Sequence, residues 1–216
     1  MSWASRAAAN LLPLSREQDD LKVALTEWRY AGNFHDLETP SEVCQLCDHP
    51  DIRYQFEIEN RHTGEDLLIG SECITRFGIA ATDEEGRVLD AAGTIRKVAR
   101  DRRRLVDDAK KRGVVTALIA LGQADAEFEI VSFINYLQDR GAFTPRQLAT
   151  LMWRLKKFHV PHRPADFKLT IKRNREKAQL RELKDWQLRS IGPCLSPAQK
   201  TFLERPHHAD SDWDEE

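Results

Sequence analysis

Four cysteines are the residues whose type and spacing first point to chemistry. Cys44-Gln45-Leu46-Cys47 forms a C-x-x-C turn, and Cys73 follows 26 residues after Cys47. Thiolates bind zinc well, and such a turn places two sulfurs on one point. The residues in between must bring the third sulfur back. Ile52, Tyr54, Phe56 and Ile58 alternate with Arg53, Gln55, Glu57 and Glu59, which predicts a half-buried strand. Asn60-Arg61-His62-Thr63-Gly64 reads as a turn and Leu67-Leu68-Ile69 as the returning strand. Gly70-Ser71 then offers a bend and an N-cap for a short helix, Glu72 to Phe77, which Gly78 ends. The expected order is knuckle, hairpin, then a helix with Cys73 in its first turn, where the helix N-terminus favours a thiolate. This is the order of treble-clef zinc modules, and Zn²⁺ is the expected cofactor.

A tetrahedral structural site takes a fourth ligand. His62 sits at the hairpin tip, roughly 20 Å from the knuckle at about 3.3 Å per strand residue, and is excluded. Cys194 lies in a distant segment and is not favoured. His49, two residues after Cys47, is preferred over His35, nine before Cys44. Two other readings are buried metal-free thiols and a C-x-x-C redox pair. The redox reading lacks the βαβ context of thioredoxin-like proteins.

The C-x-L-C knuckle, the strand of Tyr54, Phe56 and Ile58, the Thr63-Gly64 turn and the Gly70-Ser71-x-Cys73 helix start resemble a small zinc-binding module of uncharacterised bacterial and bacteriophage proteins. The resemblance covers about 34 of the 216 residues, Cys44 to Phe77. It implies a bacterial or phage source and a metal-stabilised module, and it implies no activity.

Charge supplies the second clue. The formal net charge is −2, yet it is unevenly spread. Ser15 to Asp90 holds 18 acidic and 7 basic residues, whereas Arg96 to Arg189 holds 23 basic and 11 acidic ones. From Glu204 to Glu216 there are 6 acids and one arginine. A basic block between acidic segments suggests a polyanionic partner, DNA or RNA, with solvated helix faces as the plainer reading. One cluster is Arg96, Lys97, Arg100, Arg102, Arg103 and Arg104, followed by Lys110, Lys111 and Arg112. At helical spacing Arg96, Arg100, Arg103 and Arg104 share a face, with Ile95, Val98, Ala99 and Leu105 expected on another. The other cluster is Lys168, Lys172, Arg173, Arg175, Lys177, Arg181 and Lys184. Phosphate contacts of this kind give salt-sensitive, sequence-independent affinity. Phe158, His159, Phe167 and Trp186 are candidates for stacking bases, against their alternative role in a core.

The acidic tail, Ala209 to Glu216, carries Trp213. It reads as a solubilising tail, as a phosphate mimic that competes for the basic surface, or as a linear motif with Trp213 anchoring a protein partner. No apolar run is long enough for a membrane span and no signal sequence is evident, so a cytoplasmic protein is expected. Nothing marks an enzyme: there is no H-x-E, H-E-x-x-H, Walker A, G-x-G-x-x-G or G-x-S-x-G motif. Asp107-Asp108 and Asp83-Glu84-Glu85 are adjacent acids, which a helix would place on different faces.

The remaining pattern is helical. Ser15-Arg16-Glu17-Gln18 reads as a capping box opening a helix, with Leu21, Ala24, Leu25 and Trp28 as its stripe and Gly32 as its end. Helices are expected over Asp83 to Arg112, Val114 to Leu121, Glu127 to Arg140 and Asn174 to Ile191. Thr144-Pro145 and Ser196-Pro197 open two more. Phe167 to Ile171 alternates like a short strand. The expected fold is α+β and predominantly helical: an N-terminal helix and linker (1–43), a zinc-knuckle and hairpin module (44–78) packed on a basic helical domain (79–204), and an acidic tail (205–216). The expected function is zinc-stabilised, largely sequence-independent DNA binding in a replication, repair or phage–host setting. The alternatives are a protein adaptor or inhibitor, and a metal-dependent enzyme on nucleic acid.

Overall fold

Trp28 and Tyr30 alternate with Arg29, and the chain uses that period of two rather than the helical one. The computed structural model, which describes residues 2–205, divides into two compact units, one up to Ala109 and one from Lys110. The expected partner-binding residue Trp213 and the acidic tail from residue 206 onward lie outside the described residues.

In the N-terminal unit the elements are α1 (Trp3–Leu11), α2 (Leu21–Leu25), β1 (Trp28–Asp36), β2 (Tyr54–Asn60), β3 (Asp66–Ile69), α3 (Ser71–Arg76), β4 (Ala80–Ala81) and the first part of α4 (Ala91–Ala124). The sheet order is β3-β2-β1-β4, with β1 antiparallel to β2 and parallel to β4. The expected hairpin is β2–β3, paired from Phe56 with Ile69 to Glu59 with Asp66.

The helix expected to run from Ser15 to Gly32 is corrected: only Leu21–Leu25 is helical, and Trp28 begins a strand. Leu21, Ala24, Leu25 and Trp28 fit helical spacing, but Trp28 and Tyr30 together bury more apolar surface on the sheet, where both are fully enclosed. Asp20, not Ser15, caps α2, accepting from the Lys22 and Val23 amides. Ser15 is instead buried, accepting from Trp28 Nε1 at 2.8 Å and donating to the Leu11 carbonyl at 2.8 Å.

The β1–β2 register shifts between Tyr30 and Phe34, and Gly32 lies in this bulge with φ +117°. A side chain there is strained, and its Cβ would lie 2.9 Å from Lys97 Nζ. Gly32→Ala is expected to cost about 1–3 kcal/mol, mostly from the dihedral because the lysine end can yield. Urea unfolding would measure it, and an unchanged midpoint would count against this account.

Helix α4 starts at Ala91, not Asp83. Asp83 forms a turn with Arg87, whose amide its carboxylate accepts at 2.8 Å. The helix then runs through Gly113 without the expected break. In its first part the inward stripe is Thr94, Val98, Asp101 and Leu105, whereas Ile95 and Ala99 are exposed. The polar members of that stripe are satisfied. Thr94 Oγ1 accepts from the Ala81 amide at 3.0 Å, and Tyr30 Oη donates to Asp101 at 2.9 Å. Burial, together with the Asp101 carboxylate, pushes the Tyr30 phenol well above its ordinary range. Val98 and Leu105 share one core with Trp28, Tyr30, Phe56 and the three clustered cysteines. The 44–78 segment is therefore not a separate module, because β1, β4 and α4 complete its sheet and core.

The C-terminal unit contains the rest of α4, then α5 (Val131–Arg140), α6 (Pro145–Lys157), α7 (Asn174–Arg181), α8 (Asp185–Ile191) and α9 (Pro197–Glu204). Thr144 opens α6 with a reciprocal capping box, and Leu148, Leu151, Met152 and Leu155 are buried as their spacing requires. Val114, Ala117, Leu118 and Leu121 of α4 pack into this second core with Phe143 and Phe167. Three expectations are corrected. Asn174 to Ile191 is two helices, α7 and α8, with Leu183 buried at the break. Phe167 to Ile171 forms only a single bridge, Phe143 with Leu169. Val131 is exposed at the start of α5, and Phe133 packs instead, 5.0 Å from Phe128. The architecture is α+β and predominantly helical, as expected. Among the described residues, no helix is long and apolar enough to cross a membrane.

Candidate metal centre and basic surface

The knuckle is fixed by backbone bonds before any ion is considered. The Cys44 amide donates to the His49 carbonyl at 2.9 Å, and the Asp48 amide to the Cys44 carbonyl at 2.9 Å. Asp48 and Asp51 take positive φ to turn the chain. Gln45 docks the knuckle on β3: its amide donates to Leu68 O, and its Oε1 accepts from the Leu68 amide at 2.6 Å. Helix α1 holds the other side, with Asn10 Nδ2 donating to the Leu46 carbonyl and to Asp48 Oδ1. The hairpin returns the chain so that Cys73, in the first turn of α3, meets both earlier cysteines.

Cys73 Sγ lies 3.7 Å from Cys44 Sγ and 3.2 Å from Cys47 Sγ. All three sulfurs lie within 4.8 Å of one another, are buried, and form no disulfide. A tetrahedral ion with metal–sulfur bonds of about 2.3 Å spaces its sulfurs about 3.8 Å apart, so the donor set fits such an ion. The Gly70 amide points at Cys44 Sγ from 3.4 Å. Hydrogen bonding from Cys73, offset by burial and aided by this amide, lowers the Cys44 thiol to about 5. The same contact with Cys44, added to burial, drives the Cys73 thiol up. Burial also raises Cys47. Without a cation, then, the cluster favours one thiolate rather than three.

The expected fourth ligand, His49, is not part of this donor group. Its backbone carbonyl serves the Cys44 amide, and its ring lies 5.9 Å from Trp3. His35 is on β1, 3.8 Å from Glu57. Cys194 belongs to the C-terminal unit, with Sγ 3.8 Å from Met152 Sδ. A cavity of about 310 Å³ opens onto the three sulfurs, and His49, Trp3, Tyr54, Arg53, Arg76 and Arg102 share its wall. Arg76 lies over the Trp3 ring at 4.2 Å, and Arg53 makes a two-bond pair with Asp36. The composition around the knuckle gave no sign of this wall, because Trp3 and Arg102 come from distant segments.

The basic residues separate into distinct groups. Lys97 leaves the expected nucleic-acid surface. Its side chain is 10% exposed, and Nζ lies 3.9 Å from Asp101 and 5.7 Å from the Tyr30 ring. Arg96 and Arg100 are exposed but line a cavity with Asp83, Glu84 and Glu85. Arg103 and Arg104 are exposed and have no ion-pair partner among the described residues. Lys110 is half-buried and Lys111 exposed. In the C-terminal unit Lys168, Lys172, Arg173 and Arg175 are exposed, and Lys177 is half-buried. Of the candidate stacking residues, Phe167 is in the core and Phe158 half-buried, whereas His159 and Trp186 are exposed.

The chain matches no family model, no curated protein and no solved structure.

Proposed function

We propose that this chain is a zinc-stabilised protein that binds DNA largely without regard to sequence. The observation that carries the reading is the outward cationic face of α4, where Arg103 and Arg104 have no counter-charge among the described residues. The C-terminal unit has exposed cations of its own, Lys172 and Arg175, likewise without a partner among the described residues. Side chains of this kind neutralise phosphates and release counterions. Zinc suits the sulfur cluster because three thiolates and a tetrahedral arrangement are its common preference. Its charge would allow all three cysteines to ionise. The cavity beside the sulfurs, which His49 also lines, leaves room for a fourth ligand. The resemblance of the knuckle segment to bacterial and phage zinc modules agrees with a structural role for the ion.

The test is binding of labelled DNA over a series of salt concentrations. Arg103→Glu combined with Lys172→Glu is expected to weaken binding and to lower the slope of log K against log salt by about 1 per lost contact. Salt-independent binding, or none at low salt, defeats the proposal. Co-purification with a protein that survives nuclease treatment would favour an adaptor instead.

A further inference from the structure

A groove in the C-terminal unit runs between α6 and α8. Its volume, about 790 Å³, lies within the roughly 300–1,000 Å³ typical of ligand pockets. Two tryptophans line it, Trp153 from α6 and Trp186 from α8, and they are 43% and 46% exposed. Leaving two indoles half in water is unfavourable unless something covers them. Trp186 makes no ring or cation contact among the described residues. Trp153 carries Lys157 Nζ 5.1 Å and Arg154 Cζ 5.7 Å from its ring centre.

The remaining polar wall is one-sided in charge. Lys156, Arg189, His159 and His162 line the groove, and among the described residues no aspartate or glutamate does. Exposed aromatic faces beside cations and without acids match a polymer of flat bases joined by phosphates. A duplex hides its base faces, so the complementary form is unpaired.

We propose that the α6–α8 groove is a stacking site for single-stranded DNA, with Trp153 and Trp186 contacting bases and Lys156 and Arg189 contacting phosphates. This rests on the DNA-binding reading above and deepens it. It assigns the aromatic contribution to residues outside the two basic clusters.

The test uses the full chain and oligothymidylate, with oligouridylate and a duplex of equal length as comparisons. Intrinsic fluorescence should be quenched by oligothymidylate. Trp153→Ala and Trp186→Ala should each lose roughly 5- to 150-fold in affinity, the range that stacking of one base carries. Trp153→Phe and Trp186→Phe should stay closer to the parent, because a ring face remains. Lys156→Gln with Arg189→Gln should reduce the salt slope by roughly 1.4. Both tryptophans are exposed, so circular dichroism should show each variant folded. If the alanine variants bind oligothymidylate as the parent does, while Arg103→Glu with Lys172→Glu still weakens binding, the groove assignment is overturned and DNA binding stands. Equal or tighter binding of duplex or of oligouridylate through these tryptophans also overturns the groove assignment. No binding of any DNA at low salt overturns both proposals.

Discussion

With zinc held as proposed, Cys73→Ser is expected to abolish metal binding and unfold the N-terminal unit. Structural zinc contributes on the order of 10–16 kcal/mol in small modules at neutral pH, more than the total stability of most domains. Here the three sulfurs are also core residues, packed with Leu46, Ile69 and Ile74. Losing the ion would leave buried thiols that favour a single negative charge and nothing to bind it. Serine at position 73 replaces a soft donor by a hard one at the point where knuckle and helix meet. Elemental analysis should fall from roughly one zinc per chain to none, with loss of near-ultraviolet dichroism from Trp28 and Tyr30. The C-terminal core shares no residue with the first, so part of the helical signal should persist. Cys194→Ser is the control: it should keep the metal, since Cys194 packs against Met152 in the other unit. A Cys73→Ser protein that retains its metal and melts like the parent would refute the metal centre.

The second large effect is expected at Glu27, an acid 6% exposed at the junction of three segments. Its carboxylate accepts from the amides of Arg16 and Glu17 at 2.9 and 3.0 Å, and from Asn60 Nδ2 at 2.9 Å. Asn60 Oδ1 in turn accepts from the His62 and Thr63 amides and so shapes the hairpin turn. Glu27→Ala would leave three buried or half-buried donors without their charged acceptor, a loss of about 3–5 kcal/mol. Burial alone would raise the pKa of this carboxyl. The bonds from Asn60, Arg16 and Glu17 outweigh burial and hold it below its ordinary value. Because the folded pKa is the lower one, the contribution is fully present above the unfolded value of about 4.3 and is lost as pH falls through the folded value. Denaturant titrations at neutral pH and near pH 3 should show the difference between parent and variant shrinking in acid. A difference that stays constant with pH would mean that the carboxylate charge is not what ties these segments together.

These residues also show what could be read in advance. The knuckle, the hairpin and the cysteine-bearing helix were legible because each rests on short-range patterning: a C-x-x-C turn, a period of two, and a glycine bend. The α6 start was legible for the same reason, from Thr144 and Pro145. The inward face of α4 was legible only at Val98 and Leu105, since Thr94 and Asp101 are polar residues at core positions, and only their partners, Ala81 and Tyr30, make those positions acceptable. The same contact removes Lys97 from the basic surface. Strand β1 was hidden because Trp28 fits both a helical stripe and a strand, and its choice depends on β2 and β4, which are distant in sequence. The role of His49 depended on which of its groups faces the knuckle; spacing could place the residue but not tell carbonyl from imidazole. Trp153 lies off the Leu148–Leu155 stripe, and that spacing alone marks it as outward-facing.

The packing of α4 against β1 has a consequence for synthesis from the N-terminus. All three sulfur donors are available once Cys73 has emerged, but the core to which they belong still lacks Val98 and Leu105, and Tyr30 still lacks Asp101. On the ribosome, the thiols can therefore capture an ion before the surrounding unit closes, about 30 residues of chain ahead of it.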